Sequence, residues 1–142
     1  MPLRSDQAIA DVLRTVKTIA LLGASNKPQR PSYRVMQFLL AHDFKVVPVN
    51  PVLSGTELLG QRVYGSLAEV PCPIDMVDVF RNASHLPAIV DEAIGLGIDT
   101  LWTQLDVIDE NAAGHAERHG IRVVMDRCPA IEWPRLKRAG LI

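Results

Sequence analysis

Apolar residues fall along this chain in two rhythms. Unbroken or nearly unbroken blocks occur at Lys17-Thr18-Ile19-Ala20-Leu21-Leu22, Lys45-Val46-Val47-Pro48-Val49, Ile74 to Phe80, Thr100-Leu101-Trp102-Thr103 and Ile121-Arg122-Val123-Val124-Met125. Blocks of this length read as strands buried on both faces. Between them, apolar positions recur at helical spacing. Ile9, Val12, Leu13 and Val16 follow Ser5; Val35, Met36, Leu39 and Leu40 follow Ser32; Leu86, Ile89, Val90, Ala93 and Ile94 follow Ser84. Each serine is a suitable N-cap. Asp109 opens a further helix that closes at Gly120.

Punctuation refines the pattern. Pro48 cannot donate to a ladder, which predicts an edge or a strand end, and Asn50-Pro51 stops that strand. In the third strand Asp75 and Asp78 alternate with apolar residues, which predicts a half-exposed strand near an edge. Residues 52–65 read as loop with a short extended piece at Val63-Tyr64. Ser66-Leu67-Ala68-Glu69 is a capping-box pattern for a short helix, which Pro71-Cys72-Pro73 breaks. The tail Asp126 to Pro134 reads as irregular.

Strands alternating with helices predict an α/β, Rossmann-like fold: a five-stranded, mainly parallel sheet with helices on both faces. Right-handed crossovers lead to the expected order 3-2-1-4-5. A length of 142 residues fits a single domain, with its core over about residues 14–136. Ligands of such sheets sit at the carboxyl ends of the strands. The candidate positions are therefore Gly23-Ala24-Ser25, Asn50-Pro51, Phe80-Arg81, Gln104 and Asp126-Arg127-Cys128.

Charge singles out the first of these. No acidic residue lies between Asp11 and Asp43, whereas Arg14, Lys17, Lys27, Arg30 and Arg34 all do. A strand, a glycine turn and a helix start together form an anion site, from backbone N–H groups and the positive end of the helix dipole. A ligand carrying several phosphates suits that field. The formal net charge of −1 gives no general attraction to nucleic acid or to an anionic membrane. No apolar run approaches a membrane span, and the N-terminus lacks the apolar core of a signal peptide. Cys72 and Cys128 form no CxxC pair, so a reducing, cytoplasmic setting without disulfide or zinc is expected.

The dinucleotide fingerprint fails, since Ser25 and Pro28 stand where later glycines belong and Asn50 stands where an acidic residue would hold the ribose. The P-loop pattern is absent as well. Five segments, however, resemble the stand-alone CoA-binding proteins, in the family's order. They are Gly23-Ala24-Ser25, Arg30-Pro31-Ser32-Tyr33, Val47-Pro48-Val49-Asn50-Pro51, Val77-Asp78-Val79-Phe80-Arg81 and Met125-Asp126-Arg127-Cys128-Pro129. Their domain is similar to the CoA-binding domain of the succinyl-CoA synthetase alpha subunit.

The resemblance implies a coenzyme A diphosphate on the first loop, with adenosine near Val49-Asn50-Pro51 and Phe80-Arg81. The candidate ligand-binding residues are then Gly23, Ala24, Ser25, Lys27, Arg30, Tyr33, Arg34, Val49, Asn50, Pro51, Phe80, Arg81 and Gln104. In the synthetase a histidine of a following domain carries phosphate and a separate subunit binds the nucleoside triphosphate. The expected function here is therefore binding of CoA or an acyl-CoA without catalysis, with any protein partner open. Two alternatives stand beside it: a small NAD(P)-dependent oxidoreductase, and an acyl-transfer enzyme with Cys128 as nucleophile. The singled-out residues also have structural readings: Tyr33 and Trp102 as packing, Asn50 as a turn former, Arg81 as a partner for Asp78, and Cys128 as structural. His115 and His119 read as a solvated helix face.

Overall fold

A computed structural model describes residues 1–142. Strands β1 (Thr18–Leu22), β2 (Lys45–Val49), β5 (Met76–Val79), β6 (Thr100–Thr103) and β7 (Arg122–Val124) form one sheet, parallel at every pairing. A two-stranded ribbon, β3 (Glu57–Leu58) and β4 (Gln61–Arg62), lies in the connection after β2. Five helices complete the fold: α1 (Asp6–Thr15), α2 (Pro31–Ala41), α3 (Leu86–Gly95), α4 (Glu110–Arg118) and α5 (Pro129–Arg138).

Side chains alternate between two cores, one per face of the sheet. Ile19, Leu21, Met76, Trp102 and Val124 pack with α1, α2 and α5. Ala20, Val77, Val79, Leu101 and Val123 pack with α3 and α4. The mainly parallel, doubly covered sheet predicted from the apolar blocks is what the chain forms.

The sheet order is β2-β1-β5-β6-β7. Numbering the five parallel strands alone, this is 2-1-3-4-5 rather than the expected 3-2-1-4-5. Right-handed crossovers permit both orders, so handedness does not choose between them. The third strand crosses back beside β1 and becomes the centre of the sheet, with all four residues buried. Its two aspartates have different origins. Asp75 precedes the strand, and its Oδ2 accepts from the Lys17 and Thr18 N–H groups at 2.9 Å each. Asp78 lies inside the strand and is wholly buried.

The outer edges are β2 and β7. Pro48 does sit on an edge strand, as its missing N–H requires. Tyr64 bridges to that edge, donating its N–H to Pro48 O at 3.0 Å and accepting from the Asn50 N–H at 2.9 Å. At the far edge the Leu3 N–H donates to Val123 O at 2.7 Å.

Three helix starts differ from expectation. Helix α2 begins at Pro31, with Arg30 as cap and no side-chain cap bond. Pro31 is preset for the first helical position, which leaves Ser32 inside the first turn and buried. Ser84 does not cap α3; its N–H donates to Asn82 Oδ1, and Asn82 caps a single 3-10 turn that leads into the helix. The tail is helical, because Pro129 takes the first position of α5. Ser66 makes no cap bond, although Glu69 Oε2 does reach back to the Gly65 N–H at 2.8 Å. Ser5 and Asp109 cap α1 and α4 as expected.

Candidate functional site

Gly23 ends β1 with φ +92°. A Cβ there would stand 2.5 Å from Phe80 O, in the turn after the neighbouring strand β5. The glycine is thus required by the contact of two strand ends, before any ligand is considered. Its N–H and that of Ala24 both donate to Val49 O, at 3.0 and 3.2 Å. The turn amides expected to cradle an anion are therefore spent on holding β1 to β2. The N–H groups of Ser25, Asn26 and Ser32 have no acceptor within the chain. Ser25 Oγ accepts from the Lys27 N–H at 3.1 Å, which fixes the path of the loop.

These groups open on a cleft of about 1210 Å³ across the carboxyl ends of the strands. Helix α2 points its N-terminus here with no acid in its first turn. Lys27, Arg30 and Arg34 line the cleft, and none of them makes an ion pair. Cations gathered beside an open helix start, without internal counter-charge, constitute a field for an anionic ligand.

Of the remaining candidates, Gly23, Ala24, Ser25, Asn50, Phe80, Arg81 and Gln104 also line the cleft. Three do not. Tyr33 packs against the core of the α1, α2 and α5 face. Val49 is wholly buried and contributes its carbonyl to the glycine turn. Pro51 starts a one-turn 3-10 helix and is exposed outside the cleft wall. Asn50 is internally committed, its Nδ2 donating to Ala24 O at 2.7 Å and its Oδ1 accepting from the Val52 N–H at 2.8 Å. Gln104 is only 7 % exposed, and its Oε1 has no donor. That oxygen is itself buried, an unsatisfied acceptor within the cleft wall rather than on its surface.

Arg81 does not pair with Asp78. Its Nη2 lies 3.5 Å from His85 Nε2, while both Asp78 oxygens are buried without a partner. Burial pushes the Asp78 carboxyl well above the usual carboxylate range.

Cys128, a strand-end candidate, lines the cleft at the start of α5. The structure also brings in residues that the strand-end rule did not reach: Leu105, Asp106 and Val107 extend the wall beyond Gln104, and Ile131 closes it from α5. Extending each strand end by three residues would have found the first group. Ile131 was hidden by reading the tail as irregular. Asp126 is held in place as a loop former, with φ +60°: its N–H donates to Thr103 Oγ1 at 3.0 Å and its Oδ1 accepts from the Asp106 N–H at 2.7 Å. Arg127 turns away from Cys128 to Glu132 at 2.8 Å. Cys128 itself is 8 % exposed, shared between core and cleft wall.

A doubly covered parallel sheet with a basic cleft at its strand ends defines a Rossmann-like domain. Residues 17–134 match the family model described as CoA binding domain, and the chain belongs to that family. It is similar to the uncharacterized protein YneT of Bacillus subtilis, 33 % identical over 124 residues, covering 87 % of this chain and 90 % of that one. A Thermus thermophilus structure superposes with TM-score 0.89 at 36 % identity, covering 94 % of this chain and 99 % of the other. A Pyrococcus horikoshii structure gives 0.89 at 35 %, covering 96 % of each. The chain is also 26 % identical over 128 residues to the alpha subunit of an ADP-forming acetate–CoA ligase I of Pyrococcus furiosus. That match takes in 80 % of this chain but only 28 % of the ligase subunit.

Proposed function

We propose that this chain binds coenzyme A or an acyl-CoA in the strand-end cleft, without catalysis of its own and in the cytoplasm. The observation that carries the reading is the set of three unpaired cations, Lys27, Arg30 and Arg34, around the uncapped N-terminus of α2. The ligand's diphosphate would lie against these cations and the open amides of Ser25, Asn26 and Ser32. The adenosine would lie toward β2, beside Val52 and Leu53, and the amide-bearing arm along the wall that includes Gln104. Family membership and the partial match to a CoA ligase subunit support the choice of ligand.

A dinucleotide reading is weaker, because Asn50 has both side-chain functions engaged and offers the ribose nothing acidic. Calorimetry of the full chain with CoA, NAD and NADP tests the reading. CoA is expected to bind in the micromolar range, about −8 kcal/mol, with the dinucleotides far weaker. Binding of NAD without CoA heat would refute it.

A further inference from the structure

A second chamber adjoins the strand-end cleft. This cavity, about 380 Å³, lies at the β7 end of the sheet and shares Leu105, Cys128 and Ile131 with the cleft wall. It is built by the N-terminal segment, the loop after β6 up to the start of α4, and the stretch from the end of β7 into the first turn of α5. Its apolar lining is Pro2, Leu3, Leu105, Ile108, Met125 and Ile131. Leu105, Ile108 and Ile131 are 52, 47 and 54 % exposed. Together they are half of the six large apolar side chains left at the surface of the whole chain, gathered at one place. Apolar surface concentrated beside a ligand cleft marks a surface that a ligand covers.

The chamber's charged residues set the class of that ligand. Arg4 and Arg127 face Glu110, Asp126 and Glu132, and Arg127 is already taken by Glu132 at 2.8 Å. An anionic tail would meet more carboxylates than free guanidinium groups. The volume equals about a dozen waters at roughly 30 Å³ each, room for a short or branched chain.

We infer that the chamber receives the acyl group of a thioester, and that the ligand of this protein is an acyl-CoA with a short, uncharged, aliphatic acyl chain rather than free CoA. The inference rests on the CoA reading above. With the diphosphate on the α2 side and the adenosine toward β2, the thioester end travels along the sheet past Gln104. It arrives at Leu105, Cys128 and Ile131, which line both cavities. The acyl chain then covers the exposed Leu105, Ile108 and Ile131.

Calorimetry with CoA, butyryl-CoA and succinyl-CoA tests the inference on the full chain, wild type and Ile108→Asp. Ile108 lines the chamber but not the cleft, and at 47 % exposure its replacement leaves the core alone. Butyryl-CoA is expected to bind about tenfold tighter than CoA, since two or three buried methylenes suffice for that factor. Succinyl-CoA gains nothing. Ile108→Asp loses the butyryl advantage and keeps the affinity for CoA. Equal or weaker binding of butyryl-CoA than CoA, an advantage that survives Ile108→Asp, or an equal gain for succinyl-CoA would each overturn the chamber assignment while leaving the CoA reading intact. Absence of binding by all three ligands would overturn both.

Discussion

At the residue scale the most exacting position is Asp78, a carboxyl group held between Leu21 and Trp102 across the central strands with no hydrogen-bond partner. The folded chain keeps this proton to higher pH than the unfolded chain, whose value is about 3.9. Its contribution is therefore intact below about pH 3.9 and is lost as pH rises toward the folded-state value, at about 1.4 kcal/mol per pH unit. Asp78→Asn, which cannot titrate, is expected to match wild type in urea melts near pH 4 and to exceed it at pH 8. Parallel pH profiles for the two proteins would count against the assignment. The basic residues make a second prediction. Lys27→Ala and Arg30→Ala should each weaken CoA binding by about 5-fold in low salt, with a smaller effect at about 0.5 M, where screening is strong. Unchanged affinity in both variants would place the anion elsewhere. These cations were legible in the sequence because a run without acids needs no fold to be seen. The engagement of Gly23 and Ala24 N–H by Val49 was not, since it depends on which strand lies beside β1.

At the scale of elements, strands and most helices could be read from periodicity, and their neighbours could not. Both 3-2-1-4-5 and 2-1-3-4-5 satisfy crossover handedness; what separates them is where β5 is buried, and its aspartates pointed the wrong way. Helix α5 was concealed by its prolines. Pro129 is tolerated at the first position, and Pro134 lies within the helix, where it removes one backbone donor. The helix is tied down through charge instead. Glu132, 6 % exposed, accepts from Arg127 at 2.8 Å and Arg135 at 2.9 Å, and Arg135 reaches on to Asp6 of α1 at 2.9 Å. Glu132→Ala leaves two guanidinium groups without their shared acceptor and is expected to lower Tm by about 5 °C. Asp6→Ala removes only the outer link and should lower it less. A thermal melt of the two variants ranks them; an unchanged Tm in both would show that α5 is held by packing alone.

At the scale of the whole molecule, the chain spans only 28 % of the ligase subunit it resembles. No histidine lines the cleft, and the one carboxylate there is Asp106. The cleft wall thus offers no histidine to pair with that carboxylate as acid and base. The isolated protein is expected to form no acyl-CoA from ATP, CoA and acetate or succinate over hours, measured as thioester against a protein-free control. Turnover that tracks the protein through purification would show otherwise. The two sheet borders bear on the molecule's behaviour at high concentration. A strand border with free donors and acceptors is a template on which another chain can extend the ladder. Here Pro48 deprives one border of a donor and Tyr64 occupies the Pro48 carbonyl and the Asn50 N–H, while Leu3 takes an acceptor on the other. Crowded copies therefore find little to graft onto, and removal of residues 1–4 uncovers the β7 side as the first place where one copy could splice into the next.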